Sequence, residues 1–179
     1  MHLVTQFDGK RTVGKIVETE AYRAPDDKAC HAYQNKRTKR TKTMFEIGGT
    51  AYVYLCYGIH HLFNVVTAPE DVAHAILIRA IEPIEGVEWM MERRNQKSLK
   101  PQLSAGPGVM TKALGITTTH DGIDLLNQDS PIFLEKSFEN IHSSDIIACP
   151  RIGIDYAEEC ALWDWRFYIK DSKWVSKKR

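Results

Sequence analysis

Long apolar runs are missing from this sequence. Those present, such as AHAILIRAI at Ala73–Ile81, fall far short of the roughly 18 residues that a membrane-spanning helix needs. No membrane partner is expected. Cysteine is scarce and scattered: Cys30, Cys56, Cys149 and Cys160 form neither a C-x-x-C pair nor a zinc-ligand spacing, and no secretory signal precedes them. That usage fits a reduced, cytosolic chain. Charge of one sign is also lacking, since 24 lysines and arginines meet 23 acidic residues for a net +1. No global field announces a polyanion partner, so such a partner must be met by local clusters. There is no internal repeat, no low-complexity tract and no regular alternation of strand and helix.

What is present is enough for one core. A chain of 179 residues that is 43% hydrophobic and 26% charged is too short for two ordinary domains and long enough to bury one. Residues 1–179 are therefore read as a single domain. Cations gather in three places: KRTKRTK with Lys36, Arg37, Lys39, Arg40 and Lys42; Arg93, Arg94, Lys97 and Lys100; and the carboxyl end, SKKR. One such cluster is ordinarily solvated surface, whereas three on one small domain favour a polyanion.

The pattern predicts strands first. HLVTQF and TVGKIVETEAY flank the turn signal DGK, and TAYVYLCY and LFNVVTA flank GIHH, which makes two hairpins with the second tip at Tyr57–His61. HAILIRAI, PIFLE, RIGIDY and RFYIK read as further strands, with KWVS open. The APDD stretch can start a helical turn at Pro25. A helix is expected just past Pro83, with Val87, Met90 and Met91 on one face and basic residues at its C-terminal end. A shorter one, VMTKAL, follows GPG and stops at Gly115. The fold class expected is α+β, a curved and mainly antiparallel sheet with a few flanking helices.

Glu18 and Glu20 share parity on the strand ending at Tyr22, so they face one side. They are either solvated strand-end charges or include a carboxylate at a cavity mouth. Tyr22, His31, Tyr52, Tyr54 and Tyr57 supply flat rings beside the basic segment. Rings with cations are the usual equipment for holding a nucleobase, because stacking contributes about 1–3 kcal/mol per base and phosphates need positive charge. Tyr57, next to Gly58 at a hairpin tip, has little core to enter and should project outwards. His60, His61 and His74 suggest a metal hydrolase only weakly, since adjacent histidines diverge and lack ligand companions.

The segments GKIVETEAY, HAY…KRTKRTKTMF, GGTAYVYLCYGIHHLFNVV, LIRAIEPIEG, GPGVMTKALGI and PRIGID…WRFY together resemble the alkyladenine (3-methyladenine, or methylpurine) DNA glycosylases, in order from about Gly14 to Val175. The sequence departs from that pattern only at its start, where an additional leading segment with an LLG element is expected in the family. The resemblance implies that Glu20 is the general base that activates water, and Arg79 the arginine that helps hold that water. A carboxylate beside aromatic walls suits that task. Tyr22, His31 and Tyr54 match the residues that sandwich the extruded base, with His31 also a hydrogen-bond donor. Tyr57 matches the residue that fills the gap in the duplex, and Asn64 the residue that disfavours the 2-amino group of guanine. Lys36, Arg37, Lys39 and Arg40 are the phosphate-contact candidates.

The expected activity is DNA base-excision repair without strand cleavage. An alkylated or deaminated purine is flipped out of damaged double-stranded DNA and released by activated water, leaving an abasic site. No lysine holds a motif position suited to a Schiff base. No cofactor and no metal are expected, the protein should be a monomer, and its place is the bacterial cytoplasm with the nucleoid, or a eukaryotic nucleus. The alternative is a module that binds damaged nucleic acid without cutting, which gives Glu20 no task.

Overall fold

Alternation and turn chemistry lay down the first half of the chain; the protein as a whole is described from a computed structural model over residues 1–176. Lys177–Arg179, most of the third basic cluster, lie outside the described residues. Strands β1 (His2–Phe7) and β2 (Lys10–Arg23) form a hairpin whose turn places Asp8 at φ 53° and Gly9 at φ 73°. Two successive positive-φ residues match the twist of flanking strands. The second hairpin joins β3 (Ala51–Cys56) to β4 (His60–Val66), so its tip is Tyr57–Ile59 and the strand resumes two residues earlier than expected. Strand β5 runs from His74 to Glu85, past the Pro83 that was expected to precede the first helix.

The later elements are α1 (Val87–Arg94), α2 (Pro107–Leu114), β6 (Ile132–Glu135), β7 (Ile146–Cys149) and β8 (Arg166–Ile169). Helix α2 has Pro107 at its first turn and ends at Gly115, whose φ of 77° suits a residue without Cβ. Every strand pair is antiparallel, in the order β3-β4-β5-β2-β1-β6, with β8 between β2 and β7. The fold is α+β, a curled half-barrel sheet with flanking helices. Long β2 is its spine: β5 lies along one edge, while β1 and then β8 share the other. Register breaks at Val13/Gly14, Ile16/Glu18 and Glu18/Thr19 bend it. A Cβ on Gly14 would collide with the Ile81 side chain, which shows how closely β5 approaches there.

The main core lies between the sheet and the two helices, with Leu3, Val17, Ile78, Met90, Met110 and Leu114 at its centre. Val87 and Met91 pack against it and Met90 is buried, as the helical spacing requires. A second cluster, including Cys30, Met44, Phe45, Tyr52 and Val66, packs the basic connection onto the sheet.

Two expectations are overturned. RIGIDY is not a strand: after Arg151 the chain is irregular and enters a 3-10 segment at Asp155. Its alternation is real, but Arg151 turns inward to bond Asp27 rather than pairing in the sheet. APDD forms turns about a cis Ala24–Pro25 peptide rather than a helical turn. In addition, IIAC is a strand that the pattern does not reveal. KWVS is not a strand, although Trp174 and Val175 are buried.

Candidate active site

The open end of the curled sheet holds a cleft of about 620 Å³. Its floor is formed by the end of β2 and by β5. One wall comes from the β3–β4 hairpin and the basic connection, the other from the start of α2 and residues 152–156. Such a concave site with convergent polar groups is where ligand chemistry is expected. Glu20, Tyr22, His31, Tyr54, Asn64 and Arg79 all line it, as do Tyr57 and Arg40. The structure therefore gathers, from four strands and the connections between them, most of the residues that the sequence singles out, while Lys36, Arg37 and Lys39 do not line the cleft.

Glu18 and Glu20 are not solvated strand-end charges, because both are buried. Glu20 Oε2 accepts from the Tyr22 hydroxyl at 2.8 Å and from Arg79 Nη1 at 3.1 Å. Its Oε1 accepts from the Ile152 backbone N–H at 2.8 Å. Oε2 thus has two protein donors and Oε1 has one. Glu18 is bound more completely, by Arg79, Arg166 and both donors of Ser176. Burial opposes its charge, but the Ser176 N–H and the two arginines outweigh that and hold its carboxyl below the ordinary value.

Arg79 lies buried between Glu18 and Glu20, whose charges outweigh burial and raise its pKa. Tyr22 lies under the Arg151 guanidinium, 4.7 Å from its ring centre. Burial, then the Glu20 charge, pushes its phenol well above the usual range. Arg151 is fixed in turn by Asp27, with bonds of 2.5 and 2.8 Å, and by the carbonyls of Ala21 and Cys160.

His31 meets Tyr54 edge to face at 4.6 Å. Its Nε2 lies 3.2 Å from Arg40 Nη2 and its Nδ1 lies 3.0 Å from the Tyr52 hydroxyl. Arginine only donates, so Nε2 accepts and Nδ1–H donates to Tyr52. Burial and the Arg40 charge push the imidazole down to about 4, which keeps it neutral. Its expected donation to a base is thus occupied within the protein. Asn64 donates through Nδ2 to the Tyr52 carbonyl at 3.0 Å and also faces the cleft. It has a backbone-bonding role and a lining position together.

Tyr57 stands at the cleft rim, 90% exposed and at φ 51°. Lys36, Arg37, Lys39 and Arg40 are all exposed but unlike. Arg37 pairs with Asp71 at 2.7 Å and covers the Phe45 ring. Arg40 lies over Tyr54, 4.9 Å from its ring centre. His61 accepts from the Thr118 N–H, and His60 packs against Gly108. Among the described residues no three His, Cys, Asp or Glu side chains gather as a metal-ligand set. Sequence reasoning does not reach Asp27, Arg151, Arg166, Ser176 or the Ile152 N–H. The acidic APDD pair and the arginines of PRIGID and WRFY are the only signals it offers for them.

Comparison with known proteins gives the family. The family model for methylpurine-DNA glycosylase (MPG) matches residues 1–173. A Chlamydia felis protein provisionally named 3-methyladenine DNA glycosylase is 49% identical over 172 residues, covering 96% of this chain and 86% of that protein. Proteins given the same provisional name in Natranaerobius thermophilus and Bacillus cereus strain G9842 are 46% and 48% identical. These matches cover 97% and 98% of this chain, and 87% and 89% of the relatives.

Proposed function

The chain belongs to the methylpurine-DNA glycosylase family, and on that premise we propose that it hydrolyses the N-glycosidic bond of alkylated or deaminated purines in damaged duplex DNA, leaving an abasic site. The purine is flipped into the cleft and stacks among Tyr22, His31 and Tyr54. Tyr57 fills the space it leaves in the duplex. Extrusion costs a few kcal/mol, least where damage has already weakened pairing.

The observation that carries this reading is Glu20 itself, a buried carboxylate lining the cleft whose Oε1 has a single protein donor, the Ile152 N–H. A water bound there loses its proton to Oε1 as its oxygen bonds to the anomeric carbon. The bond from that carbon to the purine nitrogen breaks, and its electron pair leaves with the base. A purine alkylated at N3 or N7 is cationic and departs neutral; an uncharged one takes up a proton from solvent water as it leaves. Tyr22 and Arg79 both donate to Oε2, which directs the water to the other oxygen. Among the described residues no lysine lines the cleft, and a covalent imine needs an amine. That favours hydrolysis alone, with no strand-cutting step.

Glu20→Gln tests the assignment. General-base catalysis contributes about 10²–10⁴-fold, so base release should fall by that range while lesion-DNA affinity is kept. Unchanged base release would sink it. The second reading, a damage-binding module, draws on the three protein donors that already hold Glu20, which also suit a purely structural carboxylate. It predicts no base release from the wild-type protein on any lesion.

A further inference from the structure

Glu18 has no task in the reaction above, yet its carboxylate is buried with 1% of the residue exposed. A buried charge persists only when paired and hydrogen-bonded. Its Oε1 accepts from Arg166 Nε at 2.7 Å, Ser176 Oγ at 2.8 Å and Arg79 Nε at 2.9 Å, and its Oε2 accepts from the Ser176 N–H at 2.7 Å. Arg79 reaches across to Glu20 Oε2 at 3.1 Å. Two carboxylates and two guanidiniums thus share one neutral buried patch on β2, β5 and β8, with Arg79 as the link.

The groups facing Glu20 come from every side. Tyr22 lies on its own strand, Arg79 on β5, Arg166 opposite it in the β2–β8 register, and the Ile152 N–H and Arg151 after β7. Tyr54 on β3 also feels its charge. Against three arginines, a base must be ionised yet still take a proton. A guanidinium committed wholly to Glu20 would favour ionisation and weaken proton acceptance. Here that commitment is divided, because Glu18 draws Arg79 through Nε and faces Arg166 as well.

We propose that Glu18 is a positioning residue that sets, through Arg79, how readily Glu20 accepts a proton from water, with Ser176 holding Glu18 in place. The proposal rests on Glu20 being the general base. It extends the working site to Ser176, which closes the carboxylate with both its hydroxyl and its backbone N–H.

The test is single-turnover base release against pH on a hypoxanthine duplex, whose uncharged purine makes the rate sensitive to the base. Wild type, Glu20→Gln, Glu18→Gln and the double variant Glu18→Gln/Arg166→Gln are compared. The acid limb of the wild-type rate profile is the reference. Glu18→Gln leaves excess positive charge beside Glu20, so the acid limb should move to lower pH by about one unit and the plateau should fall, by about tenfold at most for that shift. Adding Arg166→Gln restores neutrality, and the limb should return part of the way. A purely structural Glu18 would lower the plateau with the limb unmoved, and the double variant would be worse still; that result overturns the proposal. If Glu18→Gln alone does not fold, Arg166→Gln alone carries the test: it leaves Glu18 to draw harder on Arg79 and removes a positive charge near Glu20, so the limb should move to higher pH, and a limb at the wild-type position overturns the proposal. An active Glu20→Gln removes the general base and this proposal together. An inactive Glu20→Gln with an unmoved Glu18→Gln limb removes only this one.

Discussion

Tyr57 sits where the backbone least wants a bulky side chain: its φ of 51° lies in the left-handed region, which costs about 1–2 kcal/mol for an L-residue other than glycine. The hairpin accounts for that φ, since Tyr57 and Gly58 at φ 72° turn the chain as Asp8 and Gly9 do, but it does not account for the ring, of which the protein covers almost nothing: 90% of the residue is exposed. Tyr57→Ala should leave the unfolding midpoint nearly unchanged while weakening binding to lesion duplexes at least tenfold more than to single strands, because a plug matters only in a stack. Equal losses on both substrates would remove the plug role. Asn64 calls for a two-part reading. Its amide supports the Tyr52 carbonyl, and it also faces the cleft. Asn64→Ser shortens the side chain and gives up that hydrogen bond, a loss of about 0.5–1.5 kcal/mol of stability. Room is made for an exocyclic amine, so excision of purines with a 2-amino group should rise relative to hypoxanthine. If stability falls but that ratio stays fixed, Asn64 is a strand-bonding residue only.

At the scale of elements, the basic connection is two devices in one run. Lys36 and Lys39 are exposed, whereas Arg37 is tied to Asp71 and Phe45, and Arg40 to His31 and Tyr54. Replacing all four residues with alanine should weaken DNA binding on every sequence and flatten its salt dependence, by about 0.9 in the log–log slope for each phosphate that is no longer neutralised. Restoring Arg40 alone should recover lesion preference more than slope. A slope that does not change would return the run to ordinary surface. The run is legible in the sequence because its charges are contiguous. Strands β1 to β5 are legible because local alternation and turn residues suffice to specify them. Arg151 is not: its conformation is set by Asp27, far away in sequence, so an alternating hexapeptide that reads as a strand folds as a bracket for Tyr22. Ser176 reaches Glu18 over a similar span. Resemblance places Glu20 and its aromatic neighbours, whereas the residues that hold them depend on tertiary contacts with no fixed spacing.

For the whole molecule, the same buried groups tie stability to pH. His31 is held from its ordinary value of 6.5 down to about 4 by burial and by Arg40. Below pH 6.5 the unfolded chain takes up a proton that the folded chain refuses until near pH 4, so stability must decline as pH falls through that window. The limit is about 1.4 kcal/mol per pH unit for one such group. His120, lowered by burial against a weaker opposing backbone bond, acts in the same direction. Glu18 enters later. Its carboxyl is lowered from an ordinary 4.5, so its contribution is complete above that value and is lost as pH falls through the lower folded-state value. Between pH 6.5 and 4.5 the decline therefore belongs chiefly to histidine, and below it the carboxylate joins. Urea unfolding of the protein without DNA should show a midpoint that drops steadily from pH 6.5 to 4.5, then more steeply. His31→Phe keeps a ring against Tyr54 and cannot be protonated, so the upper part of the slope should flatten while the lower part remains. An unaltered upper slope in that variant would mean that Arg40 swings away and lets His31 charge in the folded state, leaving the cleft rim mobile at the point where Arg40 and His31 now join it.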